Sequence, residues 1–425
     1  DKNAKLSDDN QTPAVRLEDG VDYMPMPWYK VFLIQFLNIA GTGPIFGAIM
    51  GALFGPVAFL WITFGTIFAG GVHDYLSGVI SMKHDGTSVS EIVGIYLGDG
   101  MKKVMRVFSV ILLILVGTVF VTSPAGLLTS MTGIDKNIWV VLIIIYYIVA
   151  TVLPVDKVIG KIYPIFGASL LFMAIGLAGA MIIGHFNGSM VMPEMTLQNL
   201  HPSGLSIFPF LFTTIACGAL SGFHSTQSPM MARCINRESE SKRVFYGAMV
   251  VEGIVALIWC AVTIAFFGES GVIQSALDSF GGQSGGVSHI SKELLGPIGA
   301  VLAVLGVVAC PITSGDTAFR SARLTIADAF NIKQDGLLSR FKLAIPLFAV
   351  CVFLTTIDFN IIWRYFAWSN QTLATIFLWT ATVYLIKNEA NYWISLIPAT
   401  FMSSVCVSYI LQAPEGFRLN AMFSN

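Results

Sequence analysis

A few polar residues lie in stretches of this 425-residue sequence where apolar side chains otherwise dominate. His73 and Asp74 are adjacent, and Glu252 stands in an apolar run. His224 falls within Gly222-Phe223-His224-Ser225-Thr226-Gln227-Ser228, and Thr313-Ser314-Gly315-Asp316 sets two hydroxyls beside a carboxyl. A charge at the centre of a bilayer costs about 2.5–3.5 kcal/mol, so each such group needs a partner or a use. Imidazole, with a reference pKa of about 6.5, can carry a proton or bond a carboxylate. Paired hydroxyls with backbone carbonyls form an oxygen set for a small hard cation, which makes Thr313 and Ser314 a candidate sodium site. The competing readings are structural. His224 would bond a carbonyl, Thr313 and Ser314 would bond back to their own helix, and Asp316 would cap its end. The sequence weighs the two equally. His73, Asp74, Glu252, Thr313, Ser314 and Asp316 are the candidates for holding a proton or a cation.

Two interruptions accompany these residues. Asn38-Ile39-Ala40-Gly41-Thr42-Gly43-Pro44 and Ala216-Cys217-Gly218-Ala219-Leu220-Ser221-Gly222 both lie in mid-run. Gly and Pro weaken a helix, and such clusters unwind one where neighbours satisfy the freed backbone. The downstream half then offers N–H groups and a positive dipole to an anion, while the carbonyls before the break suit a cation. The expected site for a substrate carboxylate comprises Asn38, Gly41, Thr42 and Gly43 with Ser221, Gly222, Phe223 and His224. Asn370 and Gln371 add mid-helix amides as a gate or a site wall. Glycines also serve close helix packing, but two interruptions in register favour the functional reading.

The elements that must position these groups are membrane helices. Hydrophobic residues make up 55% of the sequence and charged ones 12%, half the roughly 25% of a soluble domain. Eleven apolar runs are long enough to span: 31–55, 57–80, 104–130, 138–153, 160–184, 206–228, 244–267, 293–315, 341–357, 361–386 and 391–412. Outer-membrane strands would show short alternating segments, which these are not. The expected class is therefore an all-α integral membrane protein. Of the 24 Lys and Arg, 20 fall on the side of residue 1, which places that side in the cytoplasm and residue 425 outside. The balanced charge, 24 basic against 25 acidic residues, gives no sign of a nucleic-acid partner. Six scattered cysteines without C-x-x-C spacing read as small core residues.

Runs one and six carry the breaks, and later runs keep similar offsets: 57 with 244, 104 with 293, 160 with 361. A five-helix period forces the second copy to be inverted, and paired interrupted helices in inverted halves point to a secondary transporter's midplane site. The expected organisation is a cytoplasmic segment 1–30, a five-helix repeat 31–184, its inverted copy 206–386, an eleventh helix 391–412 and an outer tail 413–425. The Gly- and Ser-rich stretch 268–292 reads as a flexible outer loop. Lys161 is expected to snorkel to the interface rather than replace a sodium ion. The basic loops at 83–86 and 233–243 read as solvated or lipid-facing.

With these residues in view, the chain resembles the carbon starvation protein A (CstA) family. The resemblance rests on Thr12-Pro13-Ala14, Asp19-Gly20-Val21-Asp22-Tyr23, Ile39-Ala40-Gly41-Thr42-Gly43-Pro44-Ile45 and Gly71-Val72-His73-Asp74. Further on it rests on Ser221-Gly222-Phe223-His224-Ser225-Thr226-Gln227, Thr313-Ser314-Gly315-Asp316-Thr317-Ala318-Phe319-Arg320 and Arg364-Tyr365-Phe366-Ala367-Trp368-Ser369-Asn370-Gln371-Thr372. It implies a bacterial inner-membrane importer of pyruvate or peptides with the LeuT-type 5+5 inverted repeat of the amino-acid/polyamine/cation (APC) superfamily. In sodium-coupled members of that wider group a Thr-Ser pair at the place of Thr313-Ser314 binds the cation; pyruvate carriers of the family are proton-coupled. It also implies a further helix ahead of Thr12-Pro13-Ala14, which would put the native N-terminus outside.

The expectation is thus a secondary active transporter without cofactor, moving pyruvate or short peptides by alternating access with H+ as the coupling ion. The other readings are a sodium-coupled peptide or amino-acid carrier and a passive channel. A peptide amine would need Glu252 or Asp74. An intramembrane enzyme finds no H-E-x-x-H or G-x-S-x-G motif.

Overall fold

The computed structural model describes residues 5–20, 23–152, 156–330, 332, 334 and 336–419, with 156–164 by backbone only. The expected tail 413–425 and the start of segment 1–30 lie partly outside these, as does the Lys161 side chain. Among the described residues the chain is all helical, apart from an isolated Met26–Ile235 bridge. In chain order the helices are α1 (Pro13–Arg16), α2 (Trp28–Ile39), α3 (Thr42–Gly51), α4 (Val57–Gly65), α5 (Gly71–Lys83) and α6 (Val89–Leu97). Then come α7 (Asp99–Thr132), α8 (Lys136–Ala150), α9 (Asp156–Phe186), α10 (Phe212–Thr214), α11 (Gly222–Ala232) and α12 (Gly247–Phe267). The last six are α13 (Ser270–Ser279), α14 (Gln283–Ala303), α15 (Ala309–Ala329), α16 (Leu337–Leu354), α17 (Phe359–Lys387) and α18 (Trp393–Gln412).

Among the described residues seven helical segments are long and apolar enough to cross a membrane, and the bent pair α2–α3 makes an eighth. The protein is therefore a multi-pass membrane protein. The short apolar α8 and α17, with Ser369-Asn370-Gln371-Thr372 in its middle, lie outside that set. Local chemistry fixes several ends. Gly55, at φ +83°, lets the chain reverse before Pro56 and α4. Asp135 and Asp358 cap α8 and α17 by accepting the N–H of Asn137 at 2.8 Å and of Asn360 at 2.9 Å. π-helical turns at Thr66–Gly70 and Val304–Val308 join α4 to α5 and α14 to α15. α7 lies at the centre, packed against α15, α17, α6 and α8.

Two expectations are corrected. The stretch 268–292 is not a flexible loop: α13 and the first half of α14 occupy it, held by buried Ile273, Leu277, Val287 and Ile290. Their spacing of three and four residues was hidden among Gly and Ser. The eighth run, 293–315, does not mark the end of its helix, because α15 continues to Ala329. Pro311 lies three residues past the π-helical turn Val304–Val308 that leads into α15. Asp316 is therefore a mid-helix residue and caps nothing.

The N-terminal segment is a strap. Thr12 Oγ1 donates to the Ile235 carbonyl (2.7 Å), Met24 and Met26 N–H to Arg233 and Cys234 carbonyls (3.2 and 3.0 Å), and Ser7 N–H to Glu238 (2.9 Å). Arg16 pairs with Asp85, and Tyr23 Oη donates to the Asp85 carbonyl at 2.8 Å. The strap thus ties the turn after α5 to the loop after α11.

Candidate functional site at two helix breaks

α2 and α3 are two halves of one interrupted helix, bent by 51° at Ala40-Gly41. The second interruption is the non-helical stretch 215–221 between α10 and α11, with Gly218 at φ +88°. The two meet. A Cβ at Gly43 would lie 2.6 Å from Cys217 Cβ and Sγ, and one at Gly218 would lie 2.6 Å from Ala256 Cβ and 3.3 Å from Pro44 Cβ. Only glycine permits this approach.

Asn370 and Gln371 on α17 hold the two ends of the second break. Asn370 Oδ1 accepts the Phe223 N–H at 2.8 Å, and its Nδ2 donates to Ser221 Oγ at 3.1 Å. Gln371 Nε2 donates to the carbonyls of Phe212 (3.2 Å) and Ala216 (3.5 Å), at the end of the upstream half. These adjacent amides satisfy the backbone that unwinding frees. The Phe223 N–H expected to receive a substrate is already bonded. At the first break, Thr42 Oγ1 accepts from Ser123 Oγ at 3.2 Å, while Gly41 faces the Phe120 ring. The N-terminus of α3 has no side-chain cap. Asn38 and Gln35, one helical turn apart on α2, are both buried. Their Asn38 Oδ1, Gln35 Oε1 and Gln35 Nε2 atoms have no protein hydrogen-bond partner. Gln35 was not singled out from the sequence; its amide within an apolar helix was the available signal.

The adjacent His73 and Asp74 join His224 and Glu252, each distant in sequence, in one chain of contacts. Asp74 Oδ1 lies 2.8 Å from His73 Nδ1, and Asp74 Oδ2 lies 2.8 Å from His224 Nδ1. His224 Nε2 lies 3.4 Å from Glu252 Oε2. All four side chains are fully buried. Three elements supply them: α5, the first turn of α11, and α12. The His73 ring meets Phe377 edge-on at 5.3 Å, and Thr66 Oγ1 donates to the Gly218 carbonyl at 2.8 Å, tying the α4–α5 junction to the second break. Ser77 Oγ donates to Ser228 Oγ at 2.8 Å, a further α5–α11 link that the sequence did not reveal.

The remaining candidates lie elsewhere. Ser314 Oγ donates to the Leu37 carbonyl at 3.4 Å, and Cys310 Sγ lies 3.3 Å from that same oxygen. Leu37 belongs to the upstream half of the first break. Thr313 Oγ1 donates within its own helix, to Cys310 (2.8 Å) and Ala309 (3.1 Å) carbonyls. Asp316 faces Arg320 at 3.8 Å and lines a small cavity with Thr151, Phe319, Arg323, Ala344 and Phe348. Arg364 pairs with Glu415 at 3.1 Å. All six cysteines are free and buried, and no cluster of His, Cys, Asp or Glu among the described residues has the makings of a metal site. Outside the spans, burial would raise the Glu91 carboxyl on α6, but hydrogen bonds from Lys102 and Arg106 hold it below its usual range.

The same fold occurs in two mutant structures of a manganese transporter from Eremococcus coleocola. One gives a TM-score of 0.57 with 11% identity over 94% of this chain and 92% of the other. The second gives 0.58 with 12% identity over 96% and 94%. The class is thus a helical membrane protein with the fold of those two structures. The chain belongs to the carbon starvation protein CstA family, whose model matches residues 1–131 and 121–280. It is 44% identical to an uncharacterized membrane protein of Haemophilus influenzae, over 63% of this chain and 86% of that one. It is 30% identical to the peptide transporter CstA of Bacillus subtilis, over 69% of this chain and 59% of that protein. With the pyruvate/proton symporter BtsT of Escherichia coli it shares 26% identity over 60% of this chain and 44% of the symporter. Relatives whose names state an activity are transporters, not enzymes.

Proposed function

We propose that this protein is a secondary active transporter that imports a small carboxylate, pyruvate foremost, by alternating access and with a proton as the coupling ion. The observation that carries the reading is the meeting of two helix breaks, Gly43 against Cys217 and Gly218 against Pro44. The carboxylate binds at the uncapped N-terminus of α3, around Gly41, Thr42 and Gly43, with the Asn38 and Gln35 amides beside it. Ser221, Gly222, Phe223, Asn370 and Gln371 form the opposing wall.

Pyruvate is favoured over a peptide because Asp74, one of two buried carboxyls open to a peptide amine, already has an imidazole on each oxygen. The finer architecture belongs to the same proposal: eleven spans, the 5+5 inverted repeat, and a cytoplasmic-membrane location with residue 1 inside. It requires α8, α17 and the interrupted α10–α11 segment to count as spans. A second reading is sodium coupling at Thr313 and Ser314, which the approach of Ser314 Oγ to the Leu37 carbonyl favours. A passive channel would neither saturate nor show counterflow.

The test is uptake of labelled pyruvate into proteoliposomes, in sodium-free buffer with an inward proton gradient. Saturable accumulation abolished by a protonophore is the expected result. Uptake only with sodium present would replace the proton with the Thr313-Ser314 site, and unsaturable flux would replace the carrier with a channel.

A further inference from the structure

We propose that one proton resides on the His224–Glu252 link, and that this is the proton moved with each substrate. Asp74 is the fixed anion that sets its position. The inference rests on the importer reading above and names its coupling site.

The argument is one of hydrogen-bond complementarity. Ionised Asp74 can only accept, and each of its oxygens lies 2.8 Å from an imidazole Nδ1. Both Nδ1 atoms therefore carry hydrogen. A neutral His224 then turns a bare Nε2 toward Glu252 Oε2, 3.4 Å away. Were Glu252 also ionised, a lone pair would face a carboxylate where both side chains are wholly buried. One proton removes that conflict, either on Glu252 as a donor to Nε2 or on Nε2 as a donor to Glu252. Moving between them breaks one O–H bond and makes one N–H bond, with the electron pair left on the Glu252 oxygen. Release to water returns neutral His224 and ionised Glu252.

No Lys or Arg forms an ion pair with any of the four groups among the described residues, so the proton has no cationic substitute. The other titratable groups that interact with the link are His73 on α5, which acts on His224, and the Cys217 thiol in the second break, which acts on Glu252. Position supplies the coupling. His224 is the third residue of α11, immediately after the Phe223 N–H that Asn370 holds, whereas Glu252 stands on α12. Any rearrangement of the second break around a bound carboxylate moves His224 relative to Glu252. The link is thus made in the closed site and broken when the site opens to water.

Glu252→Gln keeps a donor for His224 Nε2 but removes the titratable proton. At zero membrane potential and an inward gradient of one pH unit, one proton per pyruvate anion supports about tenfold accumulation. We expect that ratio in the wild type and about onefold in Glu252→Gln, while the variant still exchanges labelled for unlabelled pyruvate and its exchange rate loses pH dependence. Tenfold accumulation by Glu252→Gln would overturn the proposal and leave the importer standing. Loss of both accumulation and exchange, with a wild-type melting temperature, would also overturn it, because the residue would then serve the substrate site. If Glu252→Gln proves unstable, His224→Gln tests the same link, and tenfold accumulation by it would refute the assignment. A wild type that neither accumulates nor exchanges pyruvate would fail the importer reading itself.

Discussion

Replacing Gly43 with alanine probes the meeting of the two breaks directly. The new Cβ would stand 2.6 Å from both Cβ and Sγ of Cys217, where ordinary contact begins at 3.4 Å. The overlap is about 1 Å, and Cys217 Cβ cannot rotate away because it is fixed to the backbone of the break. Overpacking of this kind costs about 1–3 kcal/mol. Cys217→Gly removes both offending atoms, at a cost of its own of about 1 kcal/mol in backbone entropy. The double variant should therefore be more stable than the sum of the single losses by at least about 1 kcal/mol, the size of coupling seen between residues in contact. Unfolding in mixed detergent micelles gives the free energies, and pyruvate counterflow gives function. A Gly43→Ala variant as stable as wild type, or losses that simply add, would refute the contact argument. Stability restored in the double variant without counterflow would show that the Gly43 hydrogen faces the substrate as well as Cys217.

Asn370→Ala leaves the buried Phe223 N–H without its acceptor and should lower stability by about 1–3 kcal/mol, read by the same unfolding assay. In α13, Leu277→Asp should cost about 2–4 kcal/mol, because Leu277 is a packed residue of a helix; a flexible loop there would tolerate the change. Ser314→Ala should leave proton-driven pyruvate uptake unchanged, whereas loss of a sodium-dependent uptake in that variant would favour the second reading.

The breaks were legible because Gly and Pro clusters announce unwinding in an apolar run, and the buried acids and imidazoles were legible because lipid makes them costly. Their connectivity was not. His73 and Asp74 come from α5, His224 from α11 and Glu252 from α12, and periodicity says nothing about which helix faces which. Proximity in sequence misled at Thr313-Ser314-Gly315-Asp316. Residues two apart on a helix point about 200° from one another, so Ser314 reaches α2 while Asp316 turns to the cavity lined by Arg320 and Arg323. Asn370 and Gln371 stood out as misplaced amides, but their work in holding the ends of another helix required the packing of α17 against α10 and α11. The helices of 268–292 escaped notice because small residues there outnumber the few that bury.

The strap formed by residues 5–20 and 23–26 lies across the seam between α5 and α11, the two elements that bring Asp74 and His224 together. Opening that face means releasing Thr12 from Ile235, Met24 and Met26 from Arg233 and Cys234, and Tyr23 from Asp85 as a group. Such bonds resist separation without touching the cargo. On the importer reading proposed above, the strap is a latch on the cycle's timing: loosening it changes how often the carrier turns over, while the affinity of the central site stays as it was.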